Sequence, residues 1–277
     1  VAPFGTLSLR AQCPTWDVVL ASQADVLAFA MQYPNCSDLN GNLKIGTDNT
    51  PSDINDLSPI YKIQRVAGQL HIQNNPNLKT LVGLENLERA GHIKIEKNPL
   101  LANLQGLAGL HSVEGRFVIF NNRNLTNFLG LTNLSNLTGN FSIINNPSLE
   151  DFSGLGTITV VDSLIIDSNL SLRSWNGLEN LSEVDGHFFV SSNPNLENFT
   201  GLERLRAIRG TLLIFDNESL QTLGGLDNLD SVGQDFELVY NPNLVNLRGL
   251  SKLKYIGGDA LFSENERFVN FEGVSQL

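Results

Sequence analysis

Four histidines, two cysteines and one acidic loop are the residues of this 277-residue chain whose types could carry chemistry. His71 and His92 fall on neighbouring repeats, His111 in a loop and His187 further along. The first two occupy diagonal positions, so a metal held by them needs further ligands that the sequence does not nominate. Asp48, Asn49, Asp53 and Asp56 offer the hard oxygens that calcium takes. Their spacing departs from that of an EF-hand loop, and residues 46–58 read as a solvated, turn-rich insertion. No HExxH, paired Cys-x-x-C or phosphate-cradling glycine loop occurs. No two carboxylates are forced by periodicity into one pocket, so no catalytic residue, cofactor or metal site is predicted, and enzyme is the weakest class.

Cys13 and Cys36 carry a different chemistry. They flank residues 22–31, which read as a short helix with a capping-box-like start, Ser22 and then Asp25. A disulfide closing this segment would contribute roughly 3 kcal/mol by loop entropy and points to an oxidising compartment. Residues 1–40 are read as an N-terminal cap.

The elements that must position everything else are set by nine asparagines, Asn75, Asn98, Asn122, Asn146, Asn169, Asn193, Asn217, Asn241 and Asn265, spaced 23 or 24 residues apart. A fixed period of this length is the mark of a solenoid, whose coils bury their apolar sides only by stacking. Each coil follows G-x-L-x-I-x-x-N-P-x-L-x-x-L-x-G-L-x-x-L-x-x-V. Eight residues after each Asn stands a glycine, from Gly83 to Gly273, where a bend needs positive φ or close approach. The alternation in Leu70-His71-Ile72, Phe141-Ser142-Ile143 and Leu212-Leu213-Ile214 is that of a strand with one buried face. Stacked at about 4.8 Å, nine such strands make a parallel sheet roughly 40 Å long. Leu43 and Ile45 read as one more strand. The ladder amides point inward, where donor and acceptor together satisfy backbone groups left open at the turn. Residues 41–277 therefore form one solenoid, with about nine regular coils from residue 68.

A net charge of −11 without basic clusters ranks nucleic acid and anionic membrane last as partners. No apolar run reaches the roughly 18 residues of a membrane span. Sequons such as Asn124-Leu125-Thr126 arise readily in a repeat built of Asn, Leu, Ser and Thr, and Asn169 and Asn217 lie in sequons although they should be buried. Glycosylation is therefore not read from them.

The coil pattern resembles leucine-rich repeats, and more closely the receptor L domains of growth-factor receptors and related surface proteins. The Cys13–Cys36 segment leading into Gly41-Asn42-Leu43-Lys44-Ile45-Gly46 is similar to caps of secreted bacterial surface proteins. The resemblance implies a right-handed, β-rich solenoid with one long parallel sheet, in a secreted or cell-surface protein. It further implies recognition through the strand face, with no catalytic residue carried over.

That face changes character along the chain. His71, Gln73, Lys94 and Glu96 suit a wet sheet. Thereafter Val118, Phe120, Ile144, Ile165, Phe189, Leu213, Phe215, Val239 and Leu261 take positions that alternation aims outward, with Tyr240 at a strand exit. At roughly 50 Å² each they expose as much as the largest patch of an ordinary monomer. A protein partner, including a second copy of this chain, is the expected covering, over a patch ringed by Ser142, Asp167, Ser191 and Glu237. A polysaccharide is the runner-up, weakened because Trp175 takes a core position, and an adjoining loop or domain is the third possibility. The last coil ends before its closing apolar residue, so a C-terminal cap or a covering copy is expected beyond Leu277.

Overall fold

The computed structural model describes residues 13–277, so the part of the predicted cap before Cys13 lies outside the described residues. Eleven strands stack in chain order as one parallel sheet: Val18–Leu20, Leu43–Gly46, Arg65–Gln73, Arg89–Glu96, Phe117–Phe120, Phe141–Ile144, Leu164–Asp167, Phe188–Ser191, Leu212–Phe215, Phe236–Val239 and Ala260–Ser263. One corner earlier in each coil, two-residue strands build a second wall, and from Val160–Val161 to Tyr255–Ile256 these form a separate five-stranded sheet.

Alternation makes the strands. In Phe117–Phe120 and Leu212–Leu213-Ile214-Phe215 the first and third residues are fully buried and the second and fourth only half so. The apolar residues of the returning segment, such as Leu78, Leu81, Leu84 and Leu87, are likewise withdrawn from solvent. In mid-molecule one of these positions becomes aromatic. Phe128, Phe152, Trp175 and Phe199 stack coil on coil with centroids 6.0, 5.2 and 5.4 Å apart. The buried Trp175 indole donates from Nε1 to the Asn198 carbonyl at 3.2 Å.

The ladder is a continuous hydrogen-bonded column. Asn169 donates from Nδ2 to the Ile143 carbonyl of the preceding coil at 2.9 Å and to Asp167 of its own coil at 3.1 Å, and its Oδ1 accepts the Asn146 backbone N–H at 3.1 Å. The same set recurs at Asn122, Asn146, Asn193 and Asn217. Asn265, with no coil stacked on it, is only half-buried.

Two turns repeat with this column. The residue before each ladder Asn, whether Asn74, Lys97, Ser168, Asp216 or Tyr240, has φ between 54 and 58°. The glycine after each ladder Asn also takes positive φ. At Gly225, φ is 104° and a Cβ would lie 2.0 Å from the Phe199 carbonyl oxygen, so neither another backbone region nor a side chain fits.

The cap is richer than one helix. Helix Gln23–Gln32 starts at Ser22, whose side chain accepts the Asp25 N–H, while the Asp25 carboxylate accepts the Ala21 N–H at 3.1 Å. Cys13 and Cys36 are bonded. Ahead of the helix, Val18–Leu20 pairs in parallel with Leu43–Gly46 and adds a further strand to the end of the sheet.

Candidate recognition face

Register turns the outward strand residues into two columns. One runs Lys44, His71, Lys94, Val118, Ser142, Ile165, Phe189, Leu213, Glu237, Leu261. The other runs Gln73, Glu96, Phe120, Ile144, Asp167, Ser191, Phe215, Val239, Ser263. Every predicted face residue except Tyr240, which follows Val239 at the strand exit, therefore lies in these two columns. Most are half-buried, because a neighbour one strand spacing away packs against each flank. Tyr240 and Leu261 stand out at 51% and 48% exposure. The Tyr240 ring meets Phe215 edge-on at 5.6 Å.

The polar residues do not ring this patch, contrary to expectation. Ser142 sits between Val118 and Ile165, Asp167 and Ser191 between Ile144 and Phe215, and Glu237 between Leu213 and Leu261. Sequence alternation gives the face a residue belongs to, whereas register alone says which residues are adjacent on it. Inside the patch the polar groups satisfy one another: Ser191 donates to Asp167 at 2.5 Å and Ser168 to the same carboxylate at 3.1 Å.

The amino-terminal end of the face is a closed ionic network. Glu96, buried at 6% exposure, accepts from His71 Nε2 and Lys94 Nζ, each at 2.8 Å. Asp48 takes Lys44 Nζ at 2.6 Å and Gln73 Nε2 at 2.8 Å. Burial holds the His71 imidazole below its usual pKa, against the opposing pull of the Glu96 carboxylate. Glu96 is also lowered, since burial, which raises it, is outweighed by Lys94 and His71.

The other chemical candidates are engaged in structure. Asp53 accepts the Gln23 N–H at 2.8 Å, Asp56 accepts from Ser58, and Gln23 Oε1 accepts Asn55 and Asp56 N–H groups, which fastens the acidic loop to the helix. His92 and His187 belong to a second ladder, six residues before each Asn, which sequence reading missed. Their Nδ1 atoms accept the N–H groups of Arg116 and Thr211 in the next coil at 3.0 and 3.1 Å. Asn42, Ser163 and Asp235 do the same work. The varied residue types at this position hide the column; what they share is a short-range acceptor. Among the described residues no three His, Cys, Asp or Glu side chains gather as a metal site, and no helix is long and apolar enough to cross a membrane. The depression lined by Thr159, Asn180, Ser182, Glu183, Arg204 and Arg206 sets no nucleophile against a base.

A family model described as Receptor L domain matches residues 35–98, from just before the second cysteine to the ladder residue Asn98. The later coils repeat the same strand, ladder and glycine turn in register. The matched segment and the coil stack together fit a repeat solenoid of the receptor L-domain type. The receptor L domain is a ligand-binding kind of fold, and such domains and disulfides are typical of extracellular proteins. No curated protein and no solved structure matches the chain.

Proposed function

We propose that the L-domain-type solenoid is an extracellular, non-catalytic recognition module that binds a protein through the strand face built on Val118, Phe120, Ile144, Ile165, Phe189, Leu213, Phe215, Val239 and Tyr240. The carrying observation is the change along two columns of one sheet, from an ionic network at Lys44–Glu96 to a mainly apolar and aromatic surface from Val118 onward, interrupted by Ser142, Asp167, Ser191, Glu237 and Ser263. A sheet face that only needed to be wet would continue as it began, and an interface core needs aromatic and aliphatic groups with few charges. The disulfide-bonded cap supports an oxidising environment.

The test is to screen the purified protein against displayed extracellular proteins and against a glycan array. Binding to proteins that is lost in Phe189→Asp and Leu213→Asp, and retained in Tyr255→Asp on the other sheet, is the expected result. Glycan binding instead, or protein binding indifferent to the two face substitutions, contradicts the proposal.

A further inference from the structure

The exit edge of the strand face has a charge polarity that a simple protein surface does not need. The charged residues that flank the ladder Asn are exposed there. In the coils of Asn98 and Asn122 they include Lys97 and Arg123; in the coils of Asn217 and Asn265 they are Asp216, Glu218, Glu264 and Glu266. The columns repeat the trend, with Lys44 and Lys94 outnumbering Glu96 at one end and Glu237 without a cation near the other. In the two outward positions of the five strands from Leu164–Asp167 onward there is no Lys or Arg.

We infer that the strand face is occupied by a second copy of this chain, laid face to face with its coils stacked in the opposite direction, an inference that rests on the strand face being the binding surface. A two-fold axis along the strand direction through the coil of Asn169 sets the coil of Asn122 against that of Asn217. Val118 and Phe120 then meet Leu213 and Phe215 of the second copy, and Arg123 meets its Asp216 and Glu218. One coil further out, Lys94 faces Glu237. Lys97 reaches the exposed ring of Tyr240, a cation placed on an aromatic face. Such an interface is isologous, each contact occurring twice. The opposite arrangement, with both copies running the same way, sets Arg123 against Arg116 and Glu264 against Asp259.

Size agrees with a reversible dimer. Strands of four residues over about 40 Å of sheet present on the order of 500 Å² per copy, or about 1,000 Å² in all before the edges are counted. That is the lower limit of specific interfaces, which predicts exchange between monomer and dimer. The same axis brings Asp167 opposite its own copy. This like-charge contact weakens the dimer.

Sedimentation velocity across a concentration series tests the arrangement. Wild type should pass from monomer to dimer. Lys97→Glu/Arg123→Glu and Asp216→Lys/Glu218→Lys should each associate about tenfold or more weakly, because like charges then face each other at both ends. Mixed together, the two variants should form a 1:1 dimer much tighter than either variant alone, since Arg123→Glu then faces Asp216→Lys and Glu218→Lys, and only one of the two Lys97–Tyr240 contacts is lost. Asp167→Asn should tighten the wild-type dimer. All four substituted side chains of the charge variants are exposed, and unchanged melting curves will separate loss of association from loss of fold. A strictly monomeric wild type, a mixture that stays monomeric, or weakening by Asp167→Asn overturns the inference. A monomeric protein whose protein capture still depends on Phe189 would sink self-association alone and leave the recognition face standing.

Discussion

Asn169 shows how one side chain can hold two coils. Its amide supplies the donor for the Ile143 carbonyl and the acceptor for the Asn146 N–H, all of them buried. Asn169→Ala leaves both backbone groups without partners, each costing about 1–3 kcal/mol, so a loss of about 3 kcal/mol or more in chemical denaturation is expected. Asn169→Asp should fare no better, because a carboxylate cannot donate to Ile143. His71 gives a pH-dependent counterpart, with Glu96, Lys94, Lys44 and Asp48 as its charged surroundings. Its folded pKa lies below the ordinary 6.5. Between those two values the unfolded chain binds a proton that the folded chain does not, so stability falls as pH drops through 6.5. Denaturation midpoints at about pH 7.5 and 5.5 should show a smaller acid loss in His71→Gln than in wild type. The ladder was legible because one residue type recurs at one spacing. The left-handed residue before it was not, since Asn, Lys, Ser, Asp, Tyr and Glu all fill that place and the conformation is imposed by the turn.

At the scale of the element, the recurring glycine turn and the disulfide-linked cap carry the argument. Gly225→Ala combines a φ of 104° with a Cβ directed at the Phe199 carbonyl, and nothing flexible can give way there. It should lower the denaturation midpoint more than Gly224→Ala, where the nearest contact is the Thr222 hydroxyl at 3.1 Å. Replacing Cys13 and Cys36 by serine opens a loop of 23 residues and should cost about 3 kcal/mol in the cap. Alkylation of the native protein without reductant should label no thiol. The glycine column, the strands and the helix start could all be read from spacing. Val18–Leu20 could not, because three residues ahead of the repeat lack a period and become a strand only by docking on Leu43–Gly46. The side-chain ladder through His92 and His187 escaped for the same reason as the interruptions of the face: its members are related by register between coils.

For the whole molecule, the consequence of stacking is one long parallel sheet whose chemistry changes from end to end. Phe189→Asp removes an outward, half-buried ring while leaving the inward Phe188 and Val190 untouched. Its melting curve should stay close to that of wild type while association or partner capture is lost. A collapse of the melt would mean that Phe189 serves the core. The central claim, that this face is where binding happens, is tested most directly by hydroxyl-radical footprinting of free and bound protein, using dilute against concentrated samples or any captured protein. Phe120, Phe189, Phe215 and Tyr240 should lose reactivity together on binding, while Tyr61 and Tyr255, exposed elsewhere at 50% and 58%, keep theirs. Protection of Tyr61 or Tyr255 with the four face aromatics unchanged would contradict the account.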